Sequence, residues 1–133
     1  AVEIGDFDGD GLGDAARVVT WQDWTLIDVF HNTGDGFESA YTQTIGGYYD
    51  RAASGDLDGD GRDDLVLGGA SGSVVVVTGT PWGSAQPLGC ASYEATGLVD
   101  HVTQLDLGDY DGDGRLDIAA ADGNAVVVLV GAP

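Results

Sequence analysis

Three short stretches of the chain carry the residues best suited to chemistry. Gly5-Asp6-Phe7-Asp8-Gly9-Asp10-Gly11 recurs as Gly55-Asp56-Leu57-Asp58-Gly59-Asp60-Gly61, and again as Gly108-Asp109-Tyr110-Asp111-Gly112-Asp113-Gly114. A further Asp closes each, so all three fit Asp-x-Asp-x-Asp-Gly-x-x-Asp. The carboxylates are Asp6, Asp8, Asp10 and Asp14; Asp56, Asp58, Asp60 and Asp64; and Asp109, Asp111, Asp113 and Asp117. The first, third and fifth positions converge on one point if the backbone curls tightly, and Gly at the sixth permits that curl. A backbone carbonyl at the seventh, from Leu12, Arg62 or Arg115, can add a ligand. The ninth-position Asp closes the sphere from the start of the next strand. Such an all-oxygen set suits Ca²⁺, which takes six to eight hard ligands in flexible geometry. Mg²⁺ prefers fewer protein ligands, and Zn²⁺ wants His or Cys, which these loops lack. They are not EF-hands: position 12 is Arg17, Leu67 or Ala120 where an EF-hand has an acid.

The charge balance points the same way. Against 23 acids stand four arginines (Arg17, Arg51, Arg62 and Arg115) and no lysine, a formal charge of −19. A compact fold with that charge repels itself unless cations neutralise it. Twelve of the 23 acids sit in the three loops, so the excess is organised around them rather than forming an acidic tail. Three Ca²⁺ ions would bring the total to about −13. The same balance excludes a nucleic-acid binder, which needs clustered Lys and Arg. No apolar run approaches the roughly 18 residues of a membrane span. The 133 residues start with neither a Met nor a signal peptide, as expected of a processed mature form or a fragment.

The elements that position the loops repeat with them. From Asp6 to Asp56 and from Asp56 to Asp109 the steps are 50 and 53 residues, in the range of propeller blades. After the second loop, Leu65-Val66-Leu67, a turn at Ala70-Ser71-Gly72 and Val74 to Val77 predict a hairpin. After the third, Ile118 to Ala121, a turn at Asp122-Gly123-Asn124 and Val126 to Val130 predict another. The first copy gives Ala16 to Thr20 and Leu26 to Phe30. One strand is expected before each loop, as at Val2 to Ile4 and Val102 to Leu107. A weaker fourth segment is expected near Ser39 to Ile45 and Gln86 to Tyr93. No helical period is sustained, so the chain reads as all-β, with four-stranded antiparallel blades and the metal loop between the first two strands. The apolar runs are continuous rather than alternating, as in strands covered on both faces. The repeats fall at about 1–49, 50–100 and 101–133 of one propeller segment.

On these motifs the chain resembles the FG-GAP/VCBS repeats of integrin-α-type β-propellers. Asn32-Thr33-Gly34-Asp35-Gly36-Phe37 resembles that family's turn between third and fourth strands. The resemblance implies Ca²⁺ held by the Asp residues named above. It also implies an extracellular or cell-surface setting and a role in adhesion, ligand recognition or support of a secreted enzyme. Propellers close with about four to eight blades. Three blades, the last stopping at Gly131-Ala132-Pro133, cannot close a ring, so completion by missing parts of a parent protein or by other copies is expected.

Among the remaining residues, Trp21 and Trp24 flank the first hairpin turn. With Trp82 they are candidates for stacking on sugars or anchoring a protein partner, against the plainer reading of packing on a neighbouring blade. His31 and His101 form no catalytic set and read as structural strand histidines. The lone Cys90 reads as a buried thiol. No catalytic residue is assigned. A glycosidase pair is conceivable for so many carboxylates, but metal already accounts for them. The expected function is a Ca²⁺-stabilised, non-catalytic binding, adhesion or assembly module with a protein or glycan ligand, a homo-oligomer or fibre being formed through the open edge. The alternatives are the propeller domain of a secreted carbohydrate-active enzyme and a structural subunit of a surface fibre.

Overall fold

In the computed structural model, residues 1–69, 73–78, 89–94 and 101–129 are described, and all regular structure among them is β. The first sheet comprises β1 (Val2–Gly5), β2 (Asp14–Trp21), β3 (Trp24–Asn32) and β4 (Phe37–Gly46). The second comprises β5 (Tyr49–Gly55), β6 (Asp64–Gly69), β7 (Ser73–Thr78) and β8 (Gly89–Glu94), and the third β9 (Gln104–Gly108), β10 (Asp117–Ala121) and β11 (Val126–Leu129). In each sheet the strands lie side by side in chain order and pair antiparallel. Each Asp-rich loop joins the first strand of its sheet to the second, as the repeat predicts.

Several boundaries differ from expectation. Val102 was expected inside the strand before the third loop, but that strand begins at Gln104. Val102 is instead a fully buried plug: its amide donates to the Gly69 carbonyl at 3.0 Å, and its side chain fills the space a Cβ on Gly68 would need. The first sheet's last strand runs from Phe37 to Gly46, longer than Ser39 to Ile45. The turn at Ala70-Ser71-Gly72, Gln86 to Leu88, Val130, the final Gly131-Ala132-Pro133 and Trp82 lie outside the described residues. Cys90 pairs with Val77 in β8, and its side chain is likewise not described.

The packing explains why the apolar runs are continuous. In β6 and β7, Leu65, Leu67, Val75 and Val77 join a core with Phe7, Ala16, Val18, Ile27 and Val29 of the first sheet. The intervening Val66, Val74 and Val76 point the other way, into a second core with Val102, Ile118 and Ala120. Alternate side chains of a strand leave opposite faces, so a sheet between two others needs apolar residues at every position. All six residues of β6 are buried.

The outer sheets show what happens without a neighbour. Phe7, at the second position of the first loop, is 4% exposed beneath the second sheet, and Leu57 packs on the second core. Their counterpart Tyr110 is 74% exposed. A Cβ on Gly5 would touch Asp63, and one on Gly55 would come within 2.7 Å of Leu116. Gly108 has nothing nearby. The Gly before each loop is thus required where the next sheet's loop packs against it. The opposite face, on the first sheet, is dressed with charge: Arg17 donates to Asp28, Thr42 donates to the same carboxylate at 2.7 Å, and Arg17 lies over Phe30. The Thr42 hydroxyl and then Arg17 hold the Asp28 carboxyl below the usual carboxylate range.

Leu67→Ala, at a fully buried site of the middle sheet, is expected to cost about 2–5 kcal/mol in denaturant unfolding. Val126→Ala, 72% exposed on the third sheet, should stay within about 0.5 kcal/mol. Equal costs at both sites would contradict the layered packing.

Candidate metal centre

The three loops share one hydrogen-bond scheme. In the first, Asp6 accepts from the amides of Gly9, Asp10 and Gly11 at 2.8–3.0 Å. Asp8 accepts from Asp10 at 3.1 Å, and Asp10 from Leu12 at 2.8 Å. Asp56 and Asp109 repeat the first pattern with Gly59, Asp60 and Gly61 and with Gly112, Asp113 and Gly114. Asp58 and Asp111 repeat the second, and Asp60 and Asp113 the third. The curl depends on glycine at two points: Gly9 and Gly11, with their counterparts, have φ between 77° and 91°, where a side chain is strained.

The ninth-position Asp is built into the sheet. Asp14, Asp64 and Asp117 are at most 1% exposed. Each accepts from the second-position amide of its own loop: Phe7 at 3.0 Å, Leu57 at 2.9 Å and Tyr110 at 2.7 Å. Asp14 also accepts from the Asn32 amide at 2.9 Å, tying the loop to the end of β3.

Carboxylate oxygens of Asp6, Asp8 and Asp14 lie within 4.8 Å of one another, as do those of Asp56, Asp58 and Asp64 and those of Asp109, Asp111 and Asp117. Positions one, three and nine therefore converge. Each fifth-position carboxylate accepts from the seventh amide of its loop; in addition Asp60 pairs with Arg62 at 2.8 Å, and Asp10 stands beside His31. Leu12, Arg62 and Arg115 hold the loops through their amides, which bond to that fifth carboxylate.

Concentrating acids has an electrostatic cost. Burial, and then the charges of Asp14 and Asp10, push the Asp8 carboxyl above its ordinary range. Burial and then Asp60 do the same to Asp58. Asp111 is raised too: its bond from Asp113 opposes the shift, but burial and the charges of Asp113 and Asp117 prevail. Asp56 is lowered: burial works against it, but the amides of Gly61, Gly59 and Asp60 outweigh burial. Asp56 is thus a carboxylate the backbone keeps ionised, whereas Asp8, Asp58 and Asp111 are pushed toward protonation.

Two residues of this region carry no metal-loop role in the sequence reading. Asp63, one before the ninth-position Asp64, accepts from the Asp6 amide at 2.8 Å and donates its own amide to the Asp6 carbonyl at 2.8 Å. It clamps the second loop onto the first. The doubled Asp63-Asp64 was the available signal, since Gly13 and Leu116 stand at the matching places. His31, expected as a structural strand histidine, instead enters the first loop, with Nδ1 2.7 Å from Asp8 Oδ2 and 3.5 Å from Asp14 Oδ1. His101 lies 2.5 Å from Asp50, away from the loops.

The tryptophans are elsewhere. Trp21 and Trp24 pair across a two-residue turn at the far end of β2, ~23 Å from Asp14 at strand spacing. They are 60% and 39% exposed.

The segment from the second loop into β10 bears the family signature. Residues 56–120 match the family model of the FG-GAP-like repeat. The FG-GAP resemblance drawn from the loops holds over this stretch, which spans the second and third loops and the strands between them. Neither the curated proteins nor the solved structures contain a match to the chain.

The ninth-position Asp should matter even without metal. Asp64→Ala leaves the Leu57 amide without its acceptor and is expected to cost about 1–3 kcal/mol in chelator. An unchanged unfolding midpoint in EDTA would refute that structural role.

Proposed function

We propose that this chain is a Ca²⁺-stabilised, non-catalytic segment of an extracellular β-propeller, its three sheets being successive blades. The observation carrying this reading is the threefold recurrence of an oxygen-only carboxylate triad on a backbone already curled around it. Asp6, Asp8 and Asp14, with the matching residues of the other loops, would hold the ion. Asp10, Asp60 and Asp113 and the carbonyls of Leu12, Arg62 and Arg115 would complete the shell. The donor set fits: hard oxygens, a high negative charge and third-position carboxylates whose ionisation burial opposes. Bound Ca²⁺ supplies the positive charge that makes this clustering favourable and couples loop closure to sheet stability. Extracellular Ca²⁺, near millimolar, suffices even for weak sites of this kind. FG-GAP-like repeats as a class also support a non-catalytic, extracellular module. No helix among the described residues is long and apolar enough to cross a membrane. The ligand on this reading is a protein or glycan, with the exposed Trp21–Trp24 pair as the contact candidate.

Calorimetric titration should detect up to three Ca²⁺ ions, each adding about 2.7 kcal/mol at a hundredfold excess over its Kd. No bound Ca²⁺ and no change of Tm on chelation would end the proposal. Asp58→Asn sharpens the test because its two effects have opposite signs. A carboxyl raised on folding adds stability at low pH that is lost as pH rises through its folded value, so neutralising Asp58 should raise the chelated protein's Tm at pH 7 by a few °C. The same change should reduce the increment that Ca²⁺ provides.

The outward face of the third sheet favours an assembly role as well. Tyr110 and Val126 are exposed there, where Phe7 of the first loop is covered by the next sheet. In Ca²⁺, light scattering should show self-association through this face that Tyr110→Asp weakens. A wild-type monomer at all Ca²⁺ concentrations would remove the assembly role.

A further inference from the structure

The first loop differs from the other two in one donor. His31 is the penultimate residue of β3, one residue beyond the Ala15–Phe30 pair, and its imidazole reaches into the loop. In the second sheet the last pair before the loop is Leu65–Val77, and in the third it is Ile118–Leu129. The residues that follow in sequence are Thr78 and Val130, neither of which offers a nitrogen. Among the described residues, an imidazole therefore enters the carboxylate cluster at the first loop alone.

The local geometry has the form of a ligand set. Imidazole nitrogen and carboxylate oxygens of His31, Asp8 and Asp10 lie within 4.8 Å of one another. The Asp8 side chain is 7% exposed and that of His31 12%. Asp8 Oδ2 is enclosed and, among the described residues, accepts no hydrogen bond, yet it lies 2.7 Å from His31 Nδ1. At this distance the two atoms share a proton, and a divalent cation that displaces the proton would use both as ligands. Nε2 of the same ring is 3.9 Å from Asp10, and Asp14 stands on the Nδ1 side at 3.5 Å.

We propose that the first loop holds a mixed nitrogen–oxygen site, formed by His31, Asp8 and Asp10, for a divalent transition metal of the Zn²⁺ type. Imidazole suits Zn²⁺ and its neighbours, whereas Ca²⁺ takes oxygen. One His and two carboxylates leave a coordination position open to water. Asp8 belongs both to this set and to the oxygen triad Asp6, Asp8 and Asp14, so the two ions compete for the first loop. The second and third loops, lacking the imidazole, do not discriminate in this way. The competition rests on the Ca²⁺ reading above; the nitrogen site itself does not.

The test uses Zn²⁺ alone, then Zn²⁺ against Ca²⁺, by calorimetry and native mass. One Zn²⁺ per chain should bind the wild type, and saturating Zn²⁺ should lower the Ca²⁺ count by one. His31→Thr, which gives the first loop the residue of the second, should weaken Zn²⁺ by more than the roughly 10–100-fold that loss of an outer-shell partner costs. Its Ca²⁺ count should not change. Imidazole NMR of the wild type needs no variant: Zn²⁺ should shift the His31 ring at one equivalent before it shifts His101. Absence of a Zn²⁺ site, equal Zn²⁺ affinity in His31→Thr, or an unmoved His31 ring would each overturn the proposal. Zn²⁺ binding that depends on His31 in a protein that binds no Ca²⁺ would uphold it while removing the Ca²⁺ reading.

Discussion

The structure turns on how much negative charge a short curl of backbone can gather. Each loop brings carboxylates together that repel one another, and the repulsion is met in two ways. Backbone amides absorb part of it: three converge on Asp6, Asp56 or Asp109, which is why Asp56 stays ionised more readily than a free carboxylate. The amides cannot serve every position. The third-position carboxylates receive one amide each and are pushed toward protonation. On the proposed reading, a bound cation would offset that remainder and leave the geometry intact. The glycines with positive φ are the backbone's share of the arrangement, because they let successive amides turn inward.

The same loops are also joints between sheets. The ninth-position carboxylate is at once a member of the oxygen triad and the acceptor that fixes the loop's second residue. That residue, Phe7 or Leu57, is then aimed into the core shared with the following sheet. Charge in the loop and apolar burial between sheets are therefore linked through one side chain. Asp63 extends the link, since its clamp on Asp6 makes the closure of the second loop part of the surroundings of the first. On the proposed reading, an ion bound at either loop would be felt at the other through this clamp.

Much of this was legible in the sequence, because the repeat is local. The spacing of Asp and Gly fixes the curl, and the runs that follow fix the hairpins; both involve residues near one another in the chain. Continuous apolar strands such as Leu65 to Leu67 correctly implied two covered faces. Contacts between repeats were not legible. Asp63 meets Asp6 across 57 positions, and the doubled Asp63-Asp64 marks it as unlike Gly13 and Leu116 without naming its partner. Val102 looked like the start of a strand because it is β-branched and apolar, but its role is to fill the space left by Gly68. His31 read as a strand histidine for the same reason: the register that brings it beside Asp14 exists only once β2 and β3 are paired. The pairing of Asp60 with Arg62 adds a contact that the loop spacing does not show.

The repeats are equivalent in backbone but not in surroundings, and the differences follow how each loop and sheet is covered among the described residues. The first loop has an imidazole beside it and a clamp from the second; the second has an arginine on its fifth carboxylate; the third has neither a clamp nor a covering sheet among the described residues. Successive residues at one position, Phe7, Leu57 and Tyr110, pass from buried to exposed as neighbours run out. In a linear stack each unit's stability is its own plus that of its interfaces. The third loop, with an interface on one side only, therefore depends most on whatever its carboxylates bind. The middle sheet, covered on both faces, depends least. A shared loop sequence thus produces graded stability, and the gradient originates in packing rather than in the metal motif.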